Sequence, residues 1–343
     1  MGAEKLETAL DRIRDTLSGA KGADAAVSQR IRDSAAAWLA EQARSGDPSV
    51  AANAALLIGD LRADGKPWAD GSKHLADLAG DSKLGPTVRA AAVAGLARHV
   101  DDFASKPPVP AEFGQAVMPA LMTIVAAPIT GTDPASRWLV SRALDLTAKL
   151  PPAASPELAK ALEGIMTDPR RSTDERVRAA IALGRTGTKD SGIDVPRTVA
   201  AVRQVAEDAL ADSLATAKDR ALAASLSNTP LPNIQPGMPA EIGSSLPTYP
   251  LHEVEVERDA WRLLKLSEAI ARPKLKKDKS GALQASWSEP ADGGLCLLLE
   301  NDAEARDLAR QLRTEAEALV ANPTASRVAE AKETIATWTP AVR

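Results

Sequence analysis

The sequence is poor in cysteine, in aromatic residues and in long apolar runs, and each shortage excludes a class of protein. It has a single cysteine, Cys296, so no intrachain disulfide can form and nothing implies an oxidising compartment. Aromatic residues make up only 3% of the 343 positions, which excludes a core built on large rings. No apolar stretch approaches the ~20 residues that cross a bilayer.

The chain also has no excess of positive charge, since 42 lysines and arginines stand against 46 aspartates and glutamates and the formal net charge is −4 at pH 7. A dedicated nucleic-acid-binding protein usually carries a basic face, so this balance argues against one. Residues 1–17 are amphipathic and charged and lack the apolar core of a secretory signal, which predicts a cytoplasmic protein. An exported mature chain whose signal has been removed is the alternative.

Side chains that commonly carry out catalysis or bind metals are few. Only three histidines occur, and only His252 is followed by a glutamate, Glu253. A carboxylate–histidine metal centre needs several such ligands, so no metal and no cofactor is predicted. No nucleophile elbow, phosphate-binding loop or dinucleotide fingerprint is present, and no catalytic residue is assigned. We expect Cys296 to be a buried structural thiol and His99 to interact with the last carbonyls of its helix.

Alanine, by contrast, fills roughly a fifth of the chain, far above its usual share. Alanine is the best helix former, and its small side chain lets two helix axes approach closely. Runs that alternate like half-buried strands are rare. The composition therefore predicts an all-α protein whose helices stack tightly.

Four helices repeat one pattern, with 38, 48 and 39 residues between their starting points. The predicted N-caps are Asp47, Gly85, Asp133 and Ser172, and proline follows the first three. The positions seven and eleven residues after each cap are apolar, and they are Ala54, Ala92, Val140, Ala179, Ile58, Leu96, Leu144 and Leu183. This is the period of a two-helix solenoid repeat, which buries one helix face against each neighbour.

The same patterning predicts the other helices of the first two thirds of the chain. They are expected over 4–18 and 24–44, then in pairs at 48–64 with 70–79, 86–100 with 110–127, 134–150 with 156–167, and 173–186 with 195–226. From the helix at 24–44, we expect Val27, Ile31, Trp38 and Leu39 to point inward.

Three stretches carry a family resemblance: Val50 to Gly59, Val88-Arg89, and Glu175 to Gly184. They resemble the second helix of HEAT repeats, especially bacterial lyase-type forms, which reads approximately VRxxAAxALG. The resemblance covers about residues 24–190 and implies a HEAT-like α-solenoid, an armadillo-like helical array of helix pairs.

In HEAT arrays a turn aspartate and a helix arginine often hydrogen-bond between neighbouring repeats as a ladder. By that resemblance the ladder here would consist of Asp47, Asp133, Arg89, Arg137 and Arg176. Gly85 interrupts the series of aspartates, so the expected ladder is incomplete.

The chain divides into three predicted segments. Residues 1–228 are the α-solenoid, residues 229–251 a proline-rich extended connector, and residues 252–343 a C-terminal helical module or cap. The connector contains several large apolar residues that are costly to leave in water. We therefore expect it to lie against the array.

The C-terminal module is predicted to be mostly helical. Its helices are expected at 257–272, 302–321 and 324–338. Between the first two, ALQASW alternates and LCLLL is a short apolar run, and a turn-rich stretch separates them. This pattern predicts a short β-hairpin.

Six tryptophans outnumber phenylalanine and tyrosine together, and tryptophan is favoured in interface hot spots. Trp38 and Trp261 lie on apolar helix stripes, so we expect them in the core. Trp68 lies in the turn GKPWADG and is the best candidate for an exposed anchor that binds a partner.

One strong run of positive charge occurs, formed by Arg272, Lys274, Lys276, Lys277 and Lys279. Such a run is usually a solvated loop. The alternative is contact with an anionic partner, which makes Arg272, Lys274, Lys276 and Lys277 candidate partner-binding residues.

These observations predict a non-catalytic scaffold that binds a protein or peptide through the solenoid surface. The alternative is a HEAT-like DNA glycosylase, or another nucleic-acid-binding array, that uses Arg89, Arg137, Arg176 and Trp138 on a concave face. The acidic balance argues against it, because phosphate contacts supply much of such affinity. A lyase-like role, in which a chromophore is handed to a partner, rests on the resemblance alone. The oligomeric state is left open.

Overall fold

The computed structural model describes residues 25–63, 66–104, 109–127, 134–151, 155–228, 253–277, 283–286, 293–299 and 302–338. Over these ranges the chain is all-α, with twelve helices and two short antiparallel strand pairs. The helices are α1 (Ala25–Gln42), α2 (Pro48–Asp60), α3 (Ala69–Gly80), α4 (Pro86–Ala104), α5 (Ala111–Val125), α6 (Pro134–Thr147), α7 (Pro156–Thr167), α8 (Thr173–Thr186), α9 (Val195–Asn228), α10 (Glu253–Ile270), α11 (Ala303–Ala321) and α12 (Ala325–Ala336).

The helices expected from the sequence are present in the described ranges, and most bounds differ by only a few residues. None of the described helices is long and apolar enough to cross a membrane. The helix expected at 4–18 and the connector at 229–251 lie outside the described residues.

Helix α2 ends earlier than predicted, at Asp60 instead of residue 64. The reason is a short hairpin, in which β1 (Arg62–Ala63) pairs antiparallel with β2 (Lys66–Pro67). The two residues between these strands in the sequence are Asp-Gly, a favoured hairpin pair. That local signal outweighs the helical pattern.

The predicted caps of α2 and α8 are confirmed. Asp47 Oδ1 accepts hydrogen bonds from the main-chain N–H groups of Ser49 and Val50, at 2.8 and 3.2 Å. At α8, Ser172 and Glu175 form a capping box, because each side chain accepts from the other's main-chain N–H. These bonds satisfy donors that have no partner inside the helix.

The chain folds into two compact units, one of residues 1–165 and 185–193 and one of residues 166–184 and 194–343. In the first unit α2, α4 and α6 stack one on the next, as their shared pattern predicts. Helices α3 and α5 contact each other beside this layer, and α1 packs against α2 and α3. The predicted segment boundaries after residues 228 and 251 stay predictions.

The repeated apolar positions form the core. Ile58, Leu96, Leu144 and Leu183, eleven residues after their caps, are each fully buried. The residues seven after each cap are buried too, and three of the four are alanine. Small side chains at this position bring neighbouring helix axes together, which explains the high alanine content.

Glycines in the HEAT-like stretches allow closer approach still. A Cβ atom on Gly59 of α2 would lie 2.5 Å from the Cα atom of Gly95 on α4. At the equivalent position of α8, a Cβ atom on Gly184 would overlap the main chain of Ala269 on α10. Any larger residue at either crossing would force the helices apart.

Ion pairs connect equivalent positions of successive helices in the first unit. Asp60 on α2 pairs with Arg98 on α4 at 2.6 Å, and Asp101 on α4 pairs with Lys149 after α6. Asp60 and Arg98 are both thirteen residues after their caps, and Asp101 and Lys149 are both sixteen. All four side chains are at least partly exposed, so each pair contributes about 0–1 kcal/mol.

The predicted inward face of α1 is mostly wrong. Val27, Ile31 and Trp38 are exposed, and Trp38 keeps 58% of its surface in contact with solvent. The buried face consists instead of Ala36, Leu39, Ala40 and Ala43. Tight packing against α2 and α3 favours the stripe of small residues over the stripe of large ones.

In the second unit α10 and α11 pack side by side, α9 contacts α10 and α12, and α11 contacts α12. Trp261 of α10 is 37% exposed, so the expectation that it lies in the core is wrong. It lies at the edge of the packed face, where the Arg178 guanidinium carbon lies 5.9 Å from the indole centroid.

A hairpin is present in the C-terminal module, but its predicted pairing is wrong. β4 (Leu283–Ser286) pairs antiparallel with β3 (Lys274–Lys277), which belongs to the basic run. The apolar run LCLL is a 3₁₀ helix, Leu295–Leu298. Gly294 precedes it with φ of 98°, a conformation that favours glycine. The turn at Gly294 separates Gly293, which is in an isolated β-bridge, from the start of the 3₁₀ helix.

Candidate functional site

A groove of about 360 Å³ lies between α3 and α5 in the first unit. Ala76 and Gly80 of α3 and Ala116 and Ala120 of α5 line much of it. The helices approach closely there, because a Cβ atom on Gly80 would lie 3.3 Å from Cα and Cβ of Ala120. The groove has the volume of a small ligand pocket and walls made of small side chains.

The polar groups of the groove are acceptors. The lining includes the carboxylates of Asp77 and Asp81 and the hydroxyl of Thr123. Asp77 is exposed, and its carboxylate makes no hydrogen bond or ion pair with any residue in the described ranges. Asp81 accepts one bond, from the main-chain N–H of Lys83, and Thr123 donates its proton to the carbonyl of Pro119 at 3.0 Å.

A proline in the groove lining interrupts the main-chain hydrogen bonding of α5. Pro119 lines the groove and has no N–H, so it cannot donate to the carbonyl of Gln115 one turn earlier. That carbonyl therefore lacks its usual helical donor. None of the eight lining side chains carries an N–H group. The groove can accept hydrogen bonds from a ligand but has almost nothing to donate.

Trp68 is not the exposed anchor that the sequence suggested. Its side chain is 4% exposed and packs in a cluster with Ala36 of α1 and Leu61. Its carbonyl accepts hydrogen bonds from the main-chain N–H and the hydroxyl of Ser72, which fastens the start of α3. Burial by α1 excludes a direct contact between this indole and a partner.

The basic run begins with Arg272, which forms an isolated β-bridge with Gly293, and continues into strand β3. Arg272 is half-buried, and its main-chain N–H donates to the carbonyl of Gly293 at 2.9 Å. Its guanidinium group lies directly over Gly293, where any Cβ atom would collide with it. Lys274, Lys276 and Lys277 belong to β3. Contact between this run and an anionic partner stays a prediction.

The sequence predicts that His99 interacts with the last carbonyls of its helix, and this prediction is wrong. His99 lies in the body of α4, is fully buried, and shares a hydrogen bond of 2.7 Å between Nδ1 and Ser72 Oγ. Burial, the largest cause, and the nearby positive charge of Arg62 together lower the pKa of His99 to about 4. The ring is closed off from any substrate.

Cys296 is the buried thiol that the sequence predicts. Burial raises its pKa to about 11, and the negative charge of Asp302 acts in the same direction. The thiolate is the nucleophilic form, so a thiol with this pKa is a poor nucleophile at neutral pH.

A second buried polar group lies in the second unit. Arg262 of α10 donates to Asp259 Oδ1 at 2.9 Å and to Asp174 Oδ1 of α8 at 2.8 Å. Asp259 is fully buried, and burial raises its pKa. The arrangement joins α8 and α10, and of its three side chains only that of Asp174 is exposed to solvent.

Two arginines of the expected HEAT ladder, Arg89 and Arg176, have other partners. Arg89 Nε donates to the carbonyl of Ala79 and Arg176 Nε to the carbonyl of Met166, both at 2.9 Å. Each carbonyl lies ten residues earlier, near the end of the preceding helix. Asp47 caps its own helix, and no hydrogen bond joins it to Arg89, both of which lie in the described ranges. Asp133 lies outside the described residues.

These bonds also bear on the nucleic-acid alternative. Arg176 is only 7% exposed and pairs with Asp208 at 2.8 Å, so it cannot contact a phosphate backbone. Arg137 and Trp138 are exposed on α6. Within the described residues, no group of three or more His, Cys, Asp or Glu side chains is positioned to hold a metal ion.

Comparison with known proteins yields little. Neither the family models nor the curated protein sequences give a match. Among solved structures, an engineered protein of the Northeast Structural Genomics Consortium is 15% identical, with 88% of this chain and 97% of that chain covered and a TM-score of 0.39. Human deoxyhypusine hydroxylase in complex with glycerol is 16% identical, with 98% of this chain and 97% of that chain covered and a TM-score of 0.18. Both TM-scores are too low to support an argument about function.

Sequence reasoning missed the groove between α3 and α5. A signal was present, since small residues recur at Ala76 and Gly80 on one helix and at Ala116 and Ala120 on the other. They are four apart, so each pair lies on one helix face. In the sequence such a pattern indicates only tight packing, because the sequence does not show which helix faces are left uncovered.

Proposed function

We propose that the chain is a protein-interaction scaffold that binds a segment of a protein partner in the groove between α3 and α5. The groove itself is the observation that supports this function. It is a concave surface in the layer beside α2, α4 and α6, and it carries one carboxylate, that of Asp77, which pairs with no described residue. The HEAT-like character of the array is part of the proposal, and the stacking of equivalent helices supports it.

The state of the reactive side chains agrees with a binding role. His99 is fully buried, and the thiol of Cys296 has a raised pKa. Asp259 is held by Arg262 away from solvent. Each of these groups is buried inside its unit, whereas Asp77 of the groove is exposed and unpaired among the described residues. A cytoplasmic location stays a prediction.

Site-specific photo-crosslinking in the native cell tests the proposal. A photoreactive amino acid replaces Ala116 in the groove, and in a control chain it replaces Gly164, which is exposed on α7 with open space around it. We expect a discrete crosslinked partner, identified by mass spectrometry, from position 116 and none from position 164. The same products from both positions, or no product from 116, would refute the groove as the binding site.

A groove-filling variant supplies the second measurement. Ala116→Leu places a large side chain in the groove at an exposed helical position, so the fold should be kept. Capture of the crosslinked partner by the full chain should fall at least tenfold, while circular dichroism stays unchanged.

A further inference from the structure

We infer that the partner segment is basic and that the groove between α3 and α5 takes a lysine or arginine side chain, with Asp77 as its counter-ion. This inference rests on the proposed function and adds the chemistry of the ligand. It follows from the hydrogen-bonding character of the lining, from its charge and from its shape.

The lining selects for a donor. Asp77 and Asp81 bring two carboxylates, which accept hydrogen bonds and cannot donate them when ionised. The hydroxyl proton of Thr123 is already donated to a carbonyl. A carboxylate or phosphate on the ligand would find no N–H group on a lining side chain and would be repelled by both aspartates.

The charge selects for a cation over a neutral donor. The turn after α3 already uses one oxygen of Asp81, which accepts from the N–H of Lys83. Asp77 is exposed and has no partner among the described residues, so its full charge is free to pair with a cation. Charge-assisted hydrogen bonds to a carboxylate are about twice as strong as neutral ones.

The shape selects for a long, thin side chain. Ala76, Gly80, Ala116 and Ala120 form an apolar lining without projecting side chains. Lysine and arginine carry an aliphatic stem that packs on such a surface while the charged end reaches a polar group. A shorter donor such as serine would leave this lining uncovered.

Fluorescence anisotropy with the full chain tests the inference. The probe is a fluorescein-labelled peptide of alanine and serine with two central lysines, and matched peptides carry arginine, glutamate or norleucine at those two positions. We expect the lysine or arginine peptide to bind at least tenfold more tightly than the other two. Equal binding of all four, tighter binding of the glutamate peptide, or no binding of any would overturn the inference.

A pair of variants separates a specific contact from general electrostatic attraction. Asp77→Asn should weaken binding of the basic peptide about tenfold, because it removes the charge that pairs with the cation. Asp70→Asn removes the same charge from an exposed position on α3 that does not line the groove, and it should change binding less than twofold. Equal losses from both variants would refute the role of Asp77.

The crosslinking and binding experiments together distinguish failure of the proposed binding site from failure of the proposed basic ligand. If the crosslinked partner depends on position 116 but the Asp77→Asn variant captures it normally, the groove is the binding site and the basic ligand is wrong. If position 116 yields no partner, the proposed function is wrong, and so is the inference that rests on it.

Discussion

Acidification should destabilise the first unit through His99. The ring is fully buried on α4, and burial lowers its pKa from 6.5 to about 4. The charges of Arg62 and Arg98 contribute to this lowering of the pKa, while the charge of Asp60 acts in the opposite direction. At neutral pH the folded chain therefore holds a neutral imidazole that is hydrogen-bonded to Ser72.

The sign of the effect follows from proton binding. Between pH 4 and pH 6.5 the unfolded chain binds a proton at His99 and the folded chain does not. Stability from this group is present above pH 6.5 and is lost as the pH falls to about 4. The two pKa values differ by about 2.5 pH units, and at 1.36 kcal/mol for each unit the loss is roughly 3 kcal/mol.

The measurement compares urea unfolding at pH 7 and pH 4.5 for the native chain and for His99→Gln. We expect the native chain to lose about 2 kcal/mol more than the variant on acidification, because most of the titration window has been crossed at pH 4.5. NMR of the imidazole ring should give a titration midpoint near pH 4. A midpoint near 6.5, or equal losses for the two chains, would show that burial does not control this group.

Three other substitutions test the packing. Gly184→Ala should lower the free energy of unfolding by about 1–3 kcal/mol, because the added Cβ atom would overlap the main chain of α10. Gly164→Ala, which has open space around it, should instead stabilise α7 by about 0.5–1 kcal/mol. Equal effects of the two substitutions in thermal unfolding would contradict this reasoning. Leu96→Ala should cost about 2–5 kcal/mol in urea unfolding, and a cost under about 1 kcal/mol would place the side chain outside the core. A double-mutant cycle on Asp60 and Arg98 should give a coupling free energy of about 0–1 kcal/mol that decreases with added salt. A coupling free energy that does not change with salt would show that solvent does not screen the attraction between these two charges.

Periodic features of the helices could be predicted from the sequence, because they depend on residues close together in the chain. The caps at Asp47 and Ser172 and the burial of Leu96 follow from local spacing, and the structure confirms them. The environment of Trp68 could not be predicted, since it depends on α1 packing over a distant turn. Trp38 was misjudged for a related reason: two apolar stripes compete on one helix, and only the neighbouring helices decide which one is buried.

The candidate site was harder to predict than the fold. Trp68 and the basic run stand out in the sequence because they are unusual in composition. The apolar lining of the groove consists of alanine, glycine and one proline, which are common in this chain. Asp77, which pairs with no described residue, resembles any surface aspartate in the sequence. Only the distance between α3 and α5 distinguishes these residues from the rest.

The ion pairs between α2, α4 and α6 restrict how the repeats can be rearranged. Helix α4 presents Arg98 to the preceding helix and Asp101 to the following one. If genetic duplication inserted a second copy of α4 and α5, arginine would face arginine at the first position and aspartate would face aspartate at the second. Like charges would then oppose each other twice at the new junction. The charges therefore favour the present order of these helices over a duplicated one, even though their cores are alike.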